Sequence, residues 1–264
     1  MRRPAVPGPG PAAPGVRLRI QPGSDKGGVA EPVDAMEFVP GQVIAIVGPT
    51  GSGKTRLLAD IERLTPGDSP TRRVVTLSGV DPAVLEAGHA VARISQSMQF
   101  FLDLTVAEFV AMHADARGLP GPPPTDEVLG WANRLAGESF RADQPLASLS
   151  GGQARALMVA DVVLISDAPV LLIDEIENAG VDRHAALDFL VAKSRLVFVA
   201  THDPVIALRA GCRLVLGNGA IRARLDTSPA ERRRLRALSV ADRHLAELRE
   251  ALRVGASLGA AREE

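Results

Sequence analysis

The chain has 264 residues, 46% of them hydrophobic and 3% aromatic, with 30 lysines and arginines against 31 acids and a formal net charge of -1. At roughly 150 residues per domain this length suits one large domain, or a domain carrying a smaller one, and the apolar fraction excludes a disordered chain. The neutral balance removes the basic footprint of a nucleic-acid binder, and with no Tyr and only Trp131 there is little to stack on single-stranded bases, so no specific nucleic-acid partner is expected.

Residues 1–15 run through Pro4, Pro7, Gly8, Pro9, Gly10, Pro11 and Pro14 without an apolar core. They read as a disordered Pro/Gly-rich tail, not a secretory signal. Short aliphatic runs then alternate with helix-length segments, at 43–47, 74–77, 91–94, 170–173, 196–200 and 213–216. That alternation predicts an α/β fold with a mostly parallel sheet, spanning 16–225. From Thr105 the texture is helical apart from the loop 118–124, and a helical subdomain is placed at 105–165, within the sheet domain. No run approaches the roughly 18 apolar residues of a membrane span. Cys212, alone, precludes an internal disulfide and reads as an inert core thiol.

After Gly217-Asn218-Gly219, where Asn-Gly favours a two-residue hairpin, residues 226–264 read as a C-terminal helical extension. Ser228-Pro229-Ala230-Glu231 is a capping box. Ser239-Val240-Ala241-Asp242 is a weaker second start, followed by Leu245, Leu248 and Leu252 on one face and a stop at Gly255. The leucine stripe is expected to dock this segment. From 221 to 264 there are ten arginines against seven acids, a run that reads first as a solvated face.

Three motifs carry chemistry. Gly48-Pro49-Thr50-Gly51-Ser52-Gly53-Lys54-Thr55 fits G-x4-G-K-[ST], directly after the strand at 43–47 and before a helix-forming run at 56–64. Its glycines let backbone N–H groups converge on phosphate oxygens. Lys54, one of only three lysines, stands where a mobile ammonium is needed, and the Thr55 hydroxyl suits Mg2+. The run Val170-Leu171-Leu172-Ile173-Asp174-Glu175 is an apolar strand ending in two acids. With a phosphate loop present, Asp174 is the natural carboxylate for Mg2+ and Glu175 the group to polarise an attacking water. Leu149-Ser150-Gly151-Gly152-Gln153 is the third.

With that LSGGQ signature the chain resembles the ATP-binding cassette (ABC) ATPases over roughly 16–225. The resemblance implies a P-loop NTPase fold in its ABC nucleotide-binding form, ATP and Mg2+ as cofactors, and a helix N-terminus at Ser150, Gly151, Gly152 and Gln153 that grips the γ-phosphate bound to the other subunit. Gln96, after the strand at 91–94, matches the family's Q-loop and would reach Mg2+ and water; Gln99 fits that spacing less well. Thr201-His202-Asp203 resembles the switch loop, which would put His202 on the γ-phosphate, orienting the catalytic carboxylate and water. Mg2+ would then be held by Thr55, Gln96 and Asp174.

The chain also departs from the family. The segment 16–39 has only Phe38 as an aromatic to stack on adenine, too near the loop. Arg17 or Arg19 through a planar guanidinium, or packing from Val29 and Val33, are the substitutes, and weak discrimination between ATP and GTP is expected. Arg56 stands where the family usually has Ser or Thr. The family's D-loop is replaced by 176–182, with Asp182 one residue late.

The resemblance implies ATP hydrolysis in a head-to-tail dimer, a homodimer or a paired ABC subunit. The work would be done on separate transmembrane subunits of a transporter, with the chain cytoplasmic and peripheral at the inner face of the membrane. The alternative is a soluble, non-transport ATPase serving protein or cofactor assembly, for which the segment 177–182 and the helical tail speak modestly.

Overall fold

The computed structural model describes residues 15–95, 103–174, 183–191, 195–255 and 257; residues 1–14 of the tail expected at 1–15, Gln96, Glu175 and the segment 176–182 lie outside them. Its strands are β1 (Arg17–Gln21), β2 (Met36–Phe38), β3 (Val43–Val47), β4 (Val74–Ser78), β5 (Val91–Ile94), β6 (Val170–Asp174), β7 (Leu196–Ala200), β8 (Cys212–Gly217) and β9 (Ala220–Asp226). The main sheet has the order β5-β6-β7-β3-β8-β9, parallel except for β9, which returns antiparallel from β8. Asn218 and Gly219 make that return with φ of 52° and 86°, the left-handed pair a tight hairpin turn requires. The mostly parallel α/β sheet expected from the sequence is present. The run at 74–77 is the exception: β4 joins β1 and β2 in a separate antiparallel sheet. The reason is its pattern, since β4 buries Val75 while Thr76 and Ser78 are exposed, which suits a one-sided covering sheet rather than a strand enclosed on both faces.

Strands β6 and β7 are buried at every position, so the two faces of the main sheet are set by alternation. Val170, Leu172, Leu196, Phe198 and Ala200 join α1 (Lys54–Glu62) and the small sheet in one core. Leu171, Ile173, Val197 and Val199 join the other core, with α3 (Val106–Ala116), α4 (Thr125–Ala136), α5 (Gly151–Leu164) and α6 (Arg183–Val191). In that second core Trp131 stacks on Phe189 at 3.9 Å, with the Arg134 guanidinium 4.0 Å over the Trp131 ring. Buried Arg195 donates to the carbonyls of Val162, Val163 and Ser166, placing a cation on the unpaired C-terminal carbonyls of α5. The remaining α-helices among the described residues are the short α2 (Pro82–Glu86) and α7 (Pro204–Arg209) and the 25-residue α8 (Pro229–Arg253).

Two expectations for the C-terminal extension are corrected. It is one continuous helix from Pro229 to Arg253. Ser239 does not start a second one, because no Gly or Pro breaks the chain between 230 and 253 and the intervening Ala, Leu, Arg and Glu favour the helix. The leucine stripe does not dock as a whole: α8 leans on α7, but of the stripe only Leu248 is half-buried, while Leu245 and Leu252 are exposed at 49% and 58%. What fixes its start is polar. Ser228 and Glu231 exchange the capping-box bonds, and Arg213 reaches Glu231 at 2.6 Å. No helix among the described residues is long and apolar enough to cross a membrane.

Candidate functional site

Because β6, β7 and β3 are neighbours, their C-terminal ends bring three motifs to one edge of the sheet. Ala200 is in register with Asp174 on one side and Ile46 on the other. The loop beginning at Gly48 leaves β3 there, and Thr201, His202 and Asp203 leave β7, with the Thr201 N–H donating to the Ile46 carbonyl at 3.1 Å. Alternation along β6 turns Asp174 to the side of Val170 and Leu172, which is the side of α1. Sequence separation is large, yet parallel pairing makes these residues adjacent.

The phosphate loop is built around glycines for a steric reason. A Cβ on Gly48 would stand 2.5 Å from the Leu216 carbonyl oxygen and 2.7 Å from Ser52 Oγ, and one on Gly53, at φ 103°, would stand 3.0 Å from Gly219 Cα. Gly53 leads into α1 with no side-chain cap, so the first-turn N–H groups of that helix remain directed at the loop. The helix begins at Lys54, two residues before the run at 56–64. Lys54 Nζ donates to the Gly48 and Pro49 carbonyls at 2.9 and 3.4 Å, which holds the ammonium over the loop. Pro49, Thr50, Gly51 and Thr55 are exposed, and Ser52 is buried with an Oγ that has no hydrogen-bond partner among the described residues. Converging N–H groups, an ammonium and an unspent hydroxyl fit a polyphosphate.

Behind the loop lies a charged cluster that no local sequence pattern signals. Arg73, fully buried, donates to Glu31 at 2.5 Å, to Asp60 of α1 at 3.0 Å and to the Gly219 carbonyl at 2.6 Å. Glu31 also accepts from the Gly23 and Ile221 N–H groups, and Thr71 donates to Asp60. Gly219 N–H in turn donates to the Ser52 carbonyl at 2.8 Å. The network therefore ties α1, the hairpin and the loop together through satisfied buried charges.

Asp174 is not solitary either. Arg93, on β5, donates to Asp174 Oδ2 at 3.1 Å and to Glu62 Oε2 at 2.8 Å. An arginine inside the apolar run Val91-Ala92-Arg93-Ile94 signals that a partner is needed there, but not which one. In the switch turn, Asp203 accepts from the Val205 and Ile206 N–H groups and donates its own N–H to Thr201 Oγ1, so both flanking residues are spent on the turn while His202 is exposed.

Ser150 is the N-cap of α5, accepting from the Gln153 N–H while Gln153 Oε1 accepts from the Ser150 N–H. Ser150 and Gly151 are exposed and Gly152 and Gln153 half-buried. Helix α5 belongs to the core on the opposite face of the sheet from α1. The described residues thus bring together the loop 48–55, Asp174 and His202, and hold Ser150–Gln153 on another helix; Gln96 and Glu175 fall outside the description.

Beside the loop a cleft of about 320 Å³ is lined by Ser24, Asp25, Lys26, Gly53, Arg56 and Gly219, among others. Lys26 Nζ donates to the Gly51 carbonyl at 3.0 Å. Arg17, Arg19, Val29 and Val33 do not line it: Arg17 ion-pairs with Glu37, Arg19 stands opposite Glu37 in the small sheet, Val29 is exposed, and Val33 packs on the core.

The sequence profile of the ABC transporter family matches residues 34–178. An uncharacterised ABC transporter ATP-binding protein of Methanocaldococcus jannaschii is 44% identical over 91% of this chain and 94% of its own length. The lipoprotein-releasing system ATP-binding protein LolD 1 of Rhodopirellula baltica is 32% identical over 70% of this chain and 85% of its own. The macrolide export ATP-binding/permease protein MacB of Salmonella choleraesuis is 31% identical over 71% of this chain but only 30% of its own length. Among solved structures, an ATP-binding subunit of an ABC transporter superposes with a TM-score of 0.63 at 22% identity, covering 82% of this chain and 92% of that one.

Proposed function

Because the chain belongs to the ABC transporter family as its ATP-binding component, we propose that it hydrolyses ATP to drive membrane subunits carried on separate polypeptides. The observation that carries this reading is the shared strand edge at which the loop 48–55, Asp174 and His202 meet. In the proposed site, loop N–H groups and Lys54 bind the β- and γ-phosphates, and the Ser52 hydroxyl has the capacity to donate to them. The base lies in the cleft beside Lys26 and Arg56, whose stems and charges offer it no aromatic stack. This supports weak discrimination between ATP and GTP.

Thr55, Asp174 and Gln96 would hold Mg2+. The fit rests on chemistry visible in the structure, since Asp174 already serves a cation, the guanidinium of Arg93. Bound with the nucleotide, Mg2+ would neutralise charge developing on the phosphate oxygens. Glu175 takes the proton of the attacking water and His202 orients that water and the γ-phosphate, while Lys54 stabilises the transferring group.

Completion of the site is assigned to a second copy or a paired ABC subunit. Ser150 and Gly151 are exposed at a helix N-terminus on the sheet face opposite α1, an anion-binding end suited to a nucleotide held by another subunit. We place the chain at the inner face of the membrane through its partner. The transporter names of its relatives favour this reading over the soluble assembly ATPase.

The test is Glu175→Gln. This variant should keep ATP binding, lose turnover, and accumulate an ATP-dependent dimer by light scattering. Turnover at the wild-type rate would sink the role given to Glu175.

A further inference from the structure

Arg93 is a cation placed on a carboxylate that the proposed reaction needs for another cation. Its position follows from the strands. On β5, Ala92 and Ile94 turn to the core of the helical face, so Arg93 turns to the face of α1, as Asp174 does on the neighbouring β6. Arg93 is in register with Leu172, two residues before Asp174, which lets the guanidinium reach along the strand edge to the carboxylate. Its other branch is engaged by Glu62 in the last turn of α1. The three side chains grade outward, with Asp174 10% exposed, Arg93 18% and Glu62 41%. Arg93 Nε, by contrast, is buried and finds no hydrogen-bond partner among the described residues. The guanidinium is therefore shared between two carboxylates and incompletely satisfied by either, an arrangement that tolerates being moved.

We propose that Arg93 sets the divalent-cation affinity of the nucleotide site by holding Asp174 and yielding it to the metal, with Glu62 as the carboxylate that retains the displaced guanidinium. This rests on the reading of Asp174 as a metal carboxylate. Two cations addressing one carboxylate exclude or repel each other, and a site whose competent state is populated in one molecule of ten binds about tenfold more weakly. Arg93 thus acts as a positioning residue that weakens metal binding, and Glu62 counteracts it by offering the guanidinium an alternative partner. A purely structural Glu62–Arg93–Asp174 bridge has no reason to move metal affinity in opposite directions when Arg93 and Glu62 are changed in turn.

The experiment measures ADP affinity of the full chain by calorimetry in Mn2+ and in EDTA, and compares the ratio of the two affinities among variants. Arg93→Gln should raise the ratio by about tenfold, Arg93→Lys, which keeps the charge but loses the fork, should fall between it and wild type, and Glu62→Gln should lower the ratio. Asp174→Asn is the control for the underlying reading and should reduce the ratio most. If Asp174→Asn leaves the ratio unchanged, the metal role of Asp174 is wrong. If it reduces the ratio while Arg93→Gln and Glu62→Gln both match wild type, the metal site stands and the role of Arg93 is overturned. Glu62 is exposed enough that its variant reports even where Arg93→Gln fails to fold.

Discussion

The two faces of the main sheet are stabilised by different means. On the helical face, Trp131, Phe189 and their aliphatic neighbours form a large apolar core, and the polar contacts there include His113 with buried Asp161 at 2.7 Å and Arg195 with the α5 carbonyls. On the face of α1, buried Arg73 joins Glu31, Asp60 and the hairpin carbonyl, and Arg93 joins Glu62 and Asp174. Apolar packing is tolerant of volume-conserving change. Buried charge is not, because removing one member leaves the others desolvated and unpaired. The face that must hold a fixed phosphate loop is the one whose geometry is set by directional bonds.

The largest expected effect breaks that contrast on the charged side. Arg73→Met leaves Glu31 and Asp60 buried without their cation and should cost about 3–5 kcal/mol in denaturant unfolding; because the Gly219 carbonyl also loses its donor, nucleotide affinity should fall in parallel. A cost under about 1 kcal/mol would show that the cluster relaxes or admits water. On the helical face, Phe189→Leu should cost only about 1 kcal/mol and leave ADP affinity at its wild-type value, since α6 packs away from the loop. Equal loss of affinity in both variants would abolish the distinction between the faces.

The smallest effect concerns a surface ion cluster rather than a buried one. The Ser228 N–H, then the Ser228 hydroxyl and the Arg213 guanidinium, pull the Glu231 carboxyl from its ordinary 4.5 to about 2. A depressed carboxylate stabilises the folded form fully above pH 4.5, and that contribution is lost as pH falls from 4.5 towards about 2. Protection of the 229–235 amides from exchange, taken relative to their intrinsic rate at each pH, should fall across this window before that of the sheet amides does. Glu231→Gln should remove that dependence.

Much of the site is legible in the sequence because its motifs are local. A Gly-rich loop must follow a strand and open a helix, a capping Ser must precede its Gln by three residues, and Asp203 must cap the turn that presents His202. Arg93 and Arg73 are not legible, because their partners are 81 and 42 residues away in Asp174 and Glu31 and no spacing rule connects them. The strand at 74–78 was recognisable as a strand but not as a member of the covering sheet, since propensity carries no information about which strand it will pair with. The C-terminal helix reversed two expectations for a related reason. A Ser and three leucines describe a start and an apolar face, but only the surrounding chain decides whether a helix is interrupted there and whether anything lies against that face.

Length, composition and motifs by themselves determined an α/β nucleotide-binding chain with a neutral charge and few aromatics, because those properties follow from local periodicity and from the residue types that phosphate chemistry requires. The tertiary structure decided which face each charge occupies. Parallel pairing of β5, β6, β7 and β3 places Arg93, Asp174, His202 and the loop at one edge, and long-range electrostatics, rather than any neighbouring residue in sequence, fixes which carboxylate each cation holds.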